Sequence, residues 1–200
     1  MSWRSGRLCR PGTASQRTID AMTLADSPLP RLARPALLRR LRASDLAAFH
    51  AYRSDPVVCR YQSWSPMSEA EASEFIAEME AAPLFQPGKW TQLAIARAED
   101  GVLVGDLGLF VAGDLSSAEI GFTLSAAARG RGYAAAAAAA SIQLLFERTA
   151  VPRVVGITDA RNAASVRVLE RVGMSQVESR EVMFKDEPCV EWVYSIGRGA

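Results

Sequence analysis

Arg129-Gly130-Arg131-Gly132-Tyr133-Ala134 stands between an apolar, strand-like run (Ala118 to Leu124) and a strongly helical one (Ala135 to Glu147). Strand, glycine-rich turn and helix is an arrangement that aims free backbone N–H groups at an anion. The first turn of a helix has N–H donors with no partner inside the helix, and it carries the positive end of the dipole. Glycine has no Cβ to hold a phosphate away and tolerates unusual φ/ψ. Arg129 and Arg131 add positive charge at the same place. A ligand carrying a diphosphate is therefore expected here. The competing reading is a Gly/Ala-rich turn that only packs a helix on a sheet.

The glycines also fit G-x-G-x-x-A (Gly130, Gly132, Ala135), close to a dinucleotide fingerprint, and Asp159 follows the next strand. Three features oppose an oxidoreductase of that type. The motif lies past mid-chain rather than opening a domain. The strands before it read as hairpins, and after Asp159 only one helix and two strands remain, too little for a doubly wound sheet. No Gly-Lys-Ser/Thr follows, so it is not a Walker A loop.

Outward from the loop, Trp90 to Arg97, Val102 to Val111 and Ser117 to Leu124 read as three antiparallel strands. They are joined by turns at Glu99-Asp100-Gly101 and Gly113-Asp114. Upstream, Ala36 to Leu41 is a strand, and Ser44 or Asp45 caps a short helix through Tyr52. Ser68-x-x-Glu71 is a capping box for a helix to about Ala81. Downstream, Val154 to Thr158 is a strand parallel to its predecessor if the connecting helix crosses over in the usual way. Asn162 caps a helix closed by Gly173, and Ser175 to Phe184 with Val190 to Ile196 forms a last hairpin. The expected fold is a mixed α/β sheet of about seven strands with helices on both faces, over residues 36–197. Residues 1–35 are Arg-rich, acid-poor and proline-broken, and are read as a disordered tail or a mis-assigned start ahead of Met22.

A chain of 200 residues fits one domain, and 49% hydrophobic with 22% charged content fits a globular, soluble one. A net charge of +1 gives no reason to expect a nucleic-acid or membrane partner. Cys9, Cys59 and Cys189 are widely spaced with no C-x-x-C, as expected of free thiols in a reducing, cytoplasmic setting. His50, the only histidine, is expected to be a packed or surface residue. Glu69, Glu71, Glu74, Glu78 and Glu80 are expected to form a solvated face, with attraction of a cationic amine as the functional alternative.

Four motifs in order resemble the GNAT superfamily of N-acetyltransferases, over about Leu37 to Ile196. Arg129-x-x-Gly132-x-Ala134 is similar to its acetyl-CoA pyrophosphate loop. Asn162-Ala-Ala-Ser165-Val-Arg-Val-Leu-Glu-Arg-Val-Gly173-Met174 resembles its "N-x-x-S … lE-k-x-GF" helix. Ser54-Asp55-Pro56-Val57-Val58-Cys59-Arg60-Tyr61 with Trp64-Ser65-Pro66, and Ala118-Glu119-Ile120-Gly121-Phe122, resemble segments of the RimJ/RimL-type branch. The resemblance implies a GNAT fold and direct acetyl transfer from acetyl-CoA to a primary amine, with no metal and no acyl-enzyme. A protein N-terminus is the favoured acceptor. A small-molecule or antibiotic amine and a non-catalytic acyl-CoA-binding module are the alternatives. A monomer or homodimer is expected.

The chemistry sets requirements for the site. The amine must be neutral when it attacks, yet lysine-type amines titrate near 10.4 and α-amines at about 8. A general base, often through water, is therefore useful. The resemblance puts a catalytic or acceptor-orienting acid at Glu119; otherwise it is an ordinary strand carboxylate. Backbone N–H groups near Phe122, Thr123 and Leu124 are candidates to hold the developing oxyanion, one such donor being worth roughly 3 kcal/mol. Arg129, Gly130, Arg131, Gly132, Tyr133 and Ala134 are the candidate cofactor loop. Asn162 and Ser165 lie one turn apart on one helix face. The resemblance points both at the pantetheine arm and makes Ser165 a candidate proton donor to the leaving sulfur. An N-cap and a packing serine are the plainer readings. One departure stands out: where the branch continues Thr-Glu-Ala, this chain has Ala135-Ala136-Ala137.

Overall fold

The computed structural model describes residues 27–199. Its eight-stranded sheet runs in the order β1-β2-β3-β4-β5-β6-β8-β7. The strands are β1 (Arg31–Ala33), β2 (Ala36–Arg40), β3 (Trp90–Arg97), β4 (Leu103–Val111), β5 (Ala118–Leu124), β6 (Arg153–Asp159), β7 (Ser175–Phe184) and β8 (Glu187–Gly197). The helices are α1 (Leu46–Arg53), α2 (Pro56–Cys59), α3 (Glu69–Ala81), α4 (Tyr133–Arg148) and α5 (Ala163–Arg171). Most expected boundaries fall within two residues of these.

β1 adds a strand to the expected seven. It pairs antiparallel with β2, and Leu29 before it is buried in the core, so the fold starts ahead of position 36. Residues 1–26, to which the tail reading also applied, lie outside the described residues.

Alternation on the central strands builds two cores. Leu93 and Ile95 of β3 face one side, under α4 and α5. Ala94 faces the other, with Phe49, Tyr52 and Ile76 of α1 and α3. Helices therefore cover both faces. The alanines of α4 explain its seat: Ala137 and Ala138 are fully buried, and small side chains let the helix lie close to the sheet. α3 is nucleated by its capping box. Ser68 Oγ accepts from the Glu71 N–H at 3.3 Å, and the Ser68 N–H donates to Glu71 at 2.8 Å. The Ser68 N–H, and then its hydroxyl, donate to the Glu71 carboxylate and hold it below its usual range.

The crossover through α4 makes β5 and β6 parallel, as expected. Every other pair is antiparallel. The β5–β6 ladder contains only Ala118↔Val154 and Glu119↔Val155, whereas β5 stays paired with β4 as far as Leu124. Beyond Glu119 the two parallel strands part, leaving the β6-facing edge of β5 open.

Candidate active site

The opening between β5 and β6 joins two cavities. The larger, about 710 Å³, lies between the glycine loop and α5. Gly130 and Gly132 have φ of +74° and +82°, the left-handed region that L side chains rarely adopt. A Cβ at Gly130 would meet nothing within 4 Å, and one at Gly132 would meet only Pro35, at 4.0 Å. The loop is therefore open on the side where a phosphate would approach. α4 starts directly after it, and its first internal hydrogen bond runs from the Ala136 N–H to the Gly132 carbonyl at 3.0 Å. The N–H groups before Ala136 are the helix-start donors.

Most of the residues picked from the sequence meet here. Phe122, Thr123, Leu124, Arg129, Gly130, Gly132, Ala134, Asn162 and Ser165 line this cavity. Two do not. Arg131 is exposed away from it, and the ring of Tyr133 turns into the core, where it is 7% exposed. At the first position of a helix packed on a sheet, an aromatic ring gains more by burial than by facing an open loop. Asn162 does cap α5, its Oδ1 accepting from the Ser165 N–H at 3.3 Å. Asn162 thus both caps α5 and stands on the cavity wall.

Arg60, Arg161, Arg167 and Arg171 also line the cavity and were not picked from the sequence. Arg167 and Arg171 are spaced i, i+4 on α5, a signal visible in the sequence. Arg60 and Arg161 come from separate segments, and only the fold gathers them. Arg161 is paired with Asp159 at 2.6 Å, so Arg60, Arg129, Arg167 and Arg171 supply the positive charge of a rim suited to a polyanion.

The second cavity, about 430 Å³, shares Tyr61, Gln62, Phe122 and Thr123 with the first. It contains Glu119, half-buried on β5. Burial is the main cause that raises the Glu119 pKa above the ordinary carboxylate value. Arg180 pulls it down and Glu191 pushes it up. Among the described residues the Glu119 side chain has no hydrogen bond and no ion pair. A half-buried carboxylate with an elevated pKa, open to a cavity, is suited to taking a proton.

The cavity wall rests on a buried polar network. Asp106 on β4 is fully buried and accepts from Tyr52 Oη (2.6 Å), Arg53 Nε (3.1 Å) and Nη2 (2.8 Å), and from the Gln92 amide. Desolvation first, then Asp106, pushes the Tyr52 phenol well above its ordinary value, so it remains a donor. The Arg53 guanidinium lies 4.1 Å from the Trp64 ring centroid. The tip of the β7–β8 hairpin then ties the wall down. Its turn residues Lys185 and Asp186 have positive φ, and Lys185 Nζ donates to the carbonyls of Cys59 (2.9 Å) and Trp64 (3.0 Å). Lys185→Met keeps the stem and removes the donor. We expect it to raise the acceptor KM about threefold and leave the acetyl-CoA Kd unchanged, since a hydrogen bond contributes only about 1 kcal/mol net. Paired steady-state and calorimetric titrations check this.

His50 donates to the Met67 carbonyl at 3.1 Å and lines neither cavity. The five glutamates of α3 are exposed, and none reaches a cavity wall. Among the described residues no cluster of three or more His, Cys, Asp or Glu could hold a metal. No helix there is long and apolar enough to cross a membrane.

Residues 36–175 match the acetyltransferase (GNAT) domain family. Among solved structures, a GNAT-family acetyltransferase from Bacillus anthracis superposes with a TM-score of 0.74 at 23% identity, covering 83% of this chain and 96% of that one. RimL, a ribosomal alpha-N-protein acetyltransferase in complex with coenzyme A, gives 0.72 at 17%, covering 84% and 97%. The spermidine N-acetyltransferase from Vibrio cholerae, in complex with CoA and spermine, gives 0.69 at 16%, covering 82% and 95%. At these identities the likeness is one of fold. The family match spans most of the chain and includes the cofactor loop and both cavities' shared wall. This chain belongs to the GNAT acetyltransferase domain family and is an acetyl-CoA-dependent N-acetyltransferase.

Proposed function

We propose that this enzyme acetylates the α-amine of a protein N-terminus, in the manner of the RimJ/RimL-type branch. The observation that carries the reading is the junction of the two cavities beside Glu119, at the point where β5 and β6 part. Gly130, Gly132 and the start of α4 hold the donor's diphosphate with backbone N–H groups, and the arginine rim neutralises its charge. Glu119 takes the ammonium proton, directly or through one water. A backbone N–H of β5 between Phe122 and Leu124 receives the charge that develops on the carbonyl oxygen. Ser165, on the wall of the cofactor cavity, gives its proton to the departing sulfur and is reprotonated with the second proton that the amine nitrogen loses as the tetrahedral intermediate collapses. An α-amine suits a carboxylate base better than a lysine ε-amine does, because its lower pKa leaves a smaller gap to bridge. A cytoplasmic monomer or homodimer fits the buried free thiols Cys59 and Cys189.

The test is Glu119→Gln. We expect kcat/KM to fall about 100-fold with the acetyl-CoA Kd unchanged. Activity of the parent requires the carboxylate, so it is lost as pH falls through a pKa raised above the ordinary glutamate value. That acidic limb should vanish in the variant. Near-parent turnover by Glu119→Gln would remove Glu119 as base. Mass spectrometry of acetylated peptides should place the acetyl group on the α-amine; acetylation confined to lysine side chains would sink the N-terminal assignment.

A small-molecule amine is the second reading. The spermidine N-acetyltransferase has the same fold.

A further inference from the structure

The acceptor cavity has a specific charge balance. Five charged side chains line it: Arg53, Glu119, Asp159, Arg180 and Glu191. Four are already paired. Arg53 binds Asp106 at 2.8 Å, Arg180 binds Glu191 at 3.0 Å, and Asp159 binds Arg161 at 2.6 Å. Glu119 alone is left without an ion-pair partner among the described residues. One cation is therefore wanted, and no row of free carboxylates is present for a second or third. The acidic face of α3 cannot supply them, because its glutamates stand outside the wall.

The wall also carries the neutral polar side chains of Gln62, Ser63, Gln92, Thr123 and Thr158. Beside them is an apolar side of Trp64, Met67, Phe75, Met79 and Trp90, and its rings are packed before any ligand arrives. Trp64 lies on the anchored Arg53 guanidinium. Phe75 stacks on Phe49 with centroids 5.6 Å apart and planes 18° apart. Trp90 packs on Phe110 at 5.4 Å, although it remains 46% exposed. Gly108 makes room for that ring: a Cβ there would come within 3.0 Å of Trp90 and 2.9 Å of Gln92 Oε1. Rings held in this way lose little freedom on binding, so an apolar guest gains most of its burial free energy.

We propose that the acceptor is a primary amine carrying one positive charge on an apolar, ring-sized body, with the ammonium at Glu119 and the body against Trp64, Phe75 and Trp90. This rests on the acetyl-transfer reading and narrows its substrate. Two sources share the chemistry: a polypeptide whose first residue is aromatic, and a free arylalkylamine.

The experiment compares CoA release with Phe-Ala-Ala amide, Ala-Ala-Ala amide, phenethylamine and spermidine, after calorimetry has established acetyl-CoA binding. We expect kcat/KM for the Phe-starting peptide to exceed that for the Ala-starting peptide and for spermidine by about tenfold or more. Trp90→Ala should shrink the Phe/Ala ratio toward one. A parent ratio near one, a preference for spermidine, or refusal of both aromatic amines by an enzyme that binds acetyl-CoA overturns the proposal. Acetylation of phenethylamine with refusal of both peptides upholds it and overturns the N-terminal assignment. The parent comparison needs no variant, so a poorly folded Trp90→Ala leaves the test intact.

Discussion

Gly132→Glu is expected to abolish acetyl-CoA binding while leaving the protein folded. Position 132 has φ of +82°, so any side chain there costs about 1–2 kcal/mol of backbone strain. Space is not the obstacle, since a Cβ would meet nothing closer than Pro35 at 4.0 Å. The carboxylate would stand where the diphosphate belongs and would also engage Arg129 and the neighbouring arginines. Two like charges about 4 Å apart repel by about 4 kcal/mol at an effective dielectric of about 20. Even a partly screened version weakens binding by more than 100-fold, since each 1.4 kcal/mol is about tenfold. Gly132→Ala supplies the control, because it carries the strain without the charge and should retain most of the affinity. Calorimetric titration of both, with circular dichroism to verify folding, checks the expectation. A Gly132→Glu protein binding acetyl-CoA within about threefold of the parent would mean that the diphosphate sits elsewhere.

Asp106→Ala should be the most destabilising single change near the site, by about 3–5 kcal/mol. The carboxylate is fully buried and receives hydrogen bonds from Tyr52, Arg53 and Gln92. Deleting it strands the Arg53 guanidinium, itself 2% exposed, as an uncompensated charge. For a domain whose total stability is about 5–15 kcal/mol, that is a large share. The double change Arg53→Met with Asp106→Leu removes both charges and should recover much of the loss, because an apolar pair of similar volume avoids desolvation. It should not recover acceptor binding, since Trp64 would lose the cation it lies on. Urea unfolding of the parent and both variants, with acceptor KM measured alongside, separates the two effects. An Asp106→Ala protein as stable as the parent would show that the network contributes nothing net to stability.

These outcomes bear on how much was legible in the chain itself. The cofactor loop was, because its features are local. Two glycines that can take positive φ, a helix-forming alanine run and a preceding strand lie within about 25 consecutive residues. Turn chemistry and capping act over three or four positions, so Ser68 with Glu71, and Asn162 before α5, could be read directly. The parallel β5–β6 pair followed from the helix between them acting as a crossover connection.

The acceptor cavity was not legible, because its walls are joined by contacts across long stretches of chain. Arg53 meets Asp106 from 53 residues away, and Lys185 reaches the Trp64 carbonyl across 121. Periodicity says that a residue faces inward, but not which partner it meets there. The partner depends on strand register and on which hairpin strand joins the sheet, and β8 rather than β7 lies beside β6. The inward turn of Tyr133 has the same origin, since burial under α4 outweighed its place in the loop motif. By itself the sequence determined the local elements and the anion-binding loop, whose stabilising interactions close within a few residues. Only the tertiary structure decided that Glu119 stands unpaired among fixed aromatic rings. Its neighbours are set by the mutual packing of β3, β4, β8, α1 and α3, and no short stretch of chain encodes that arrangement.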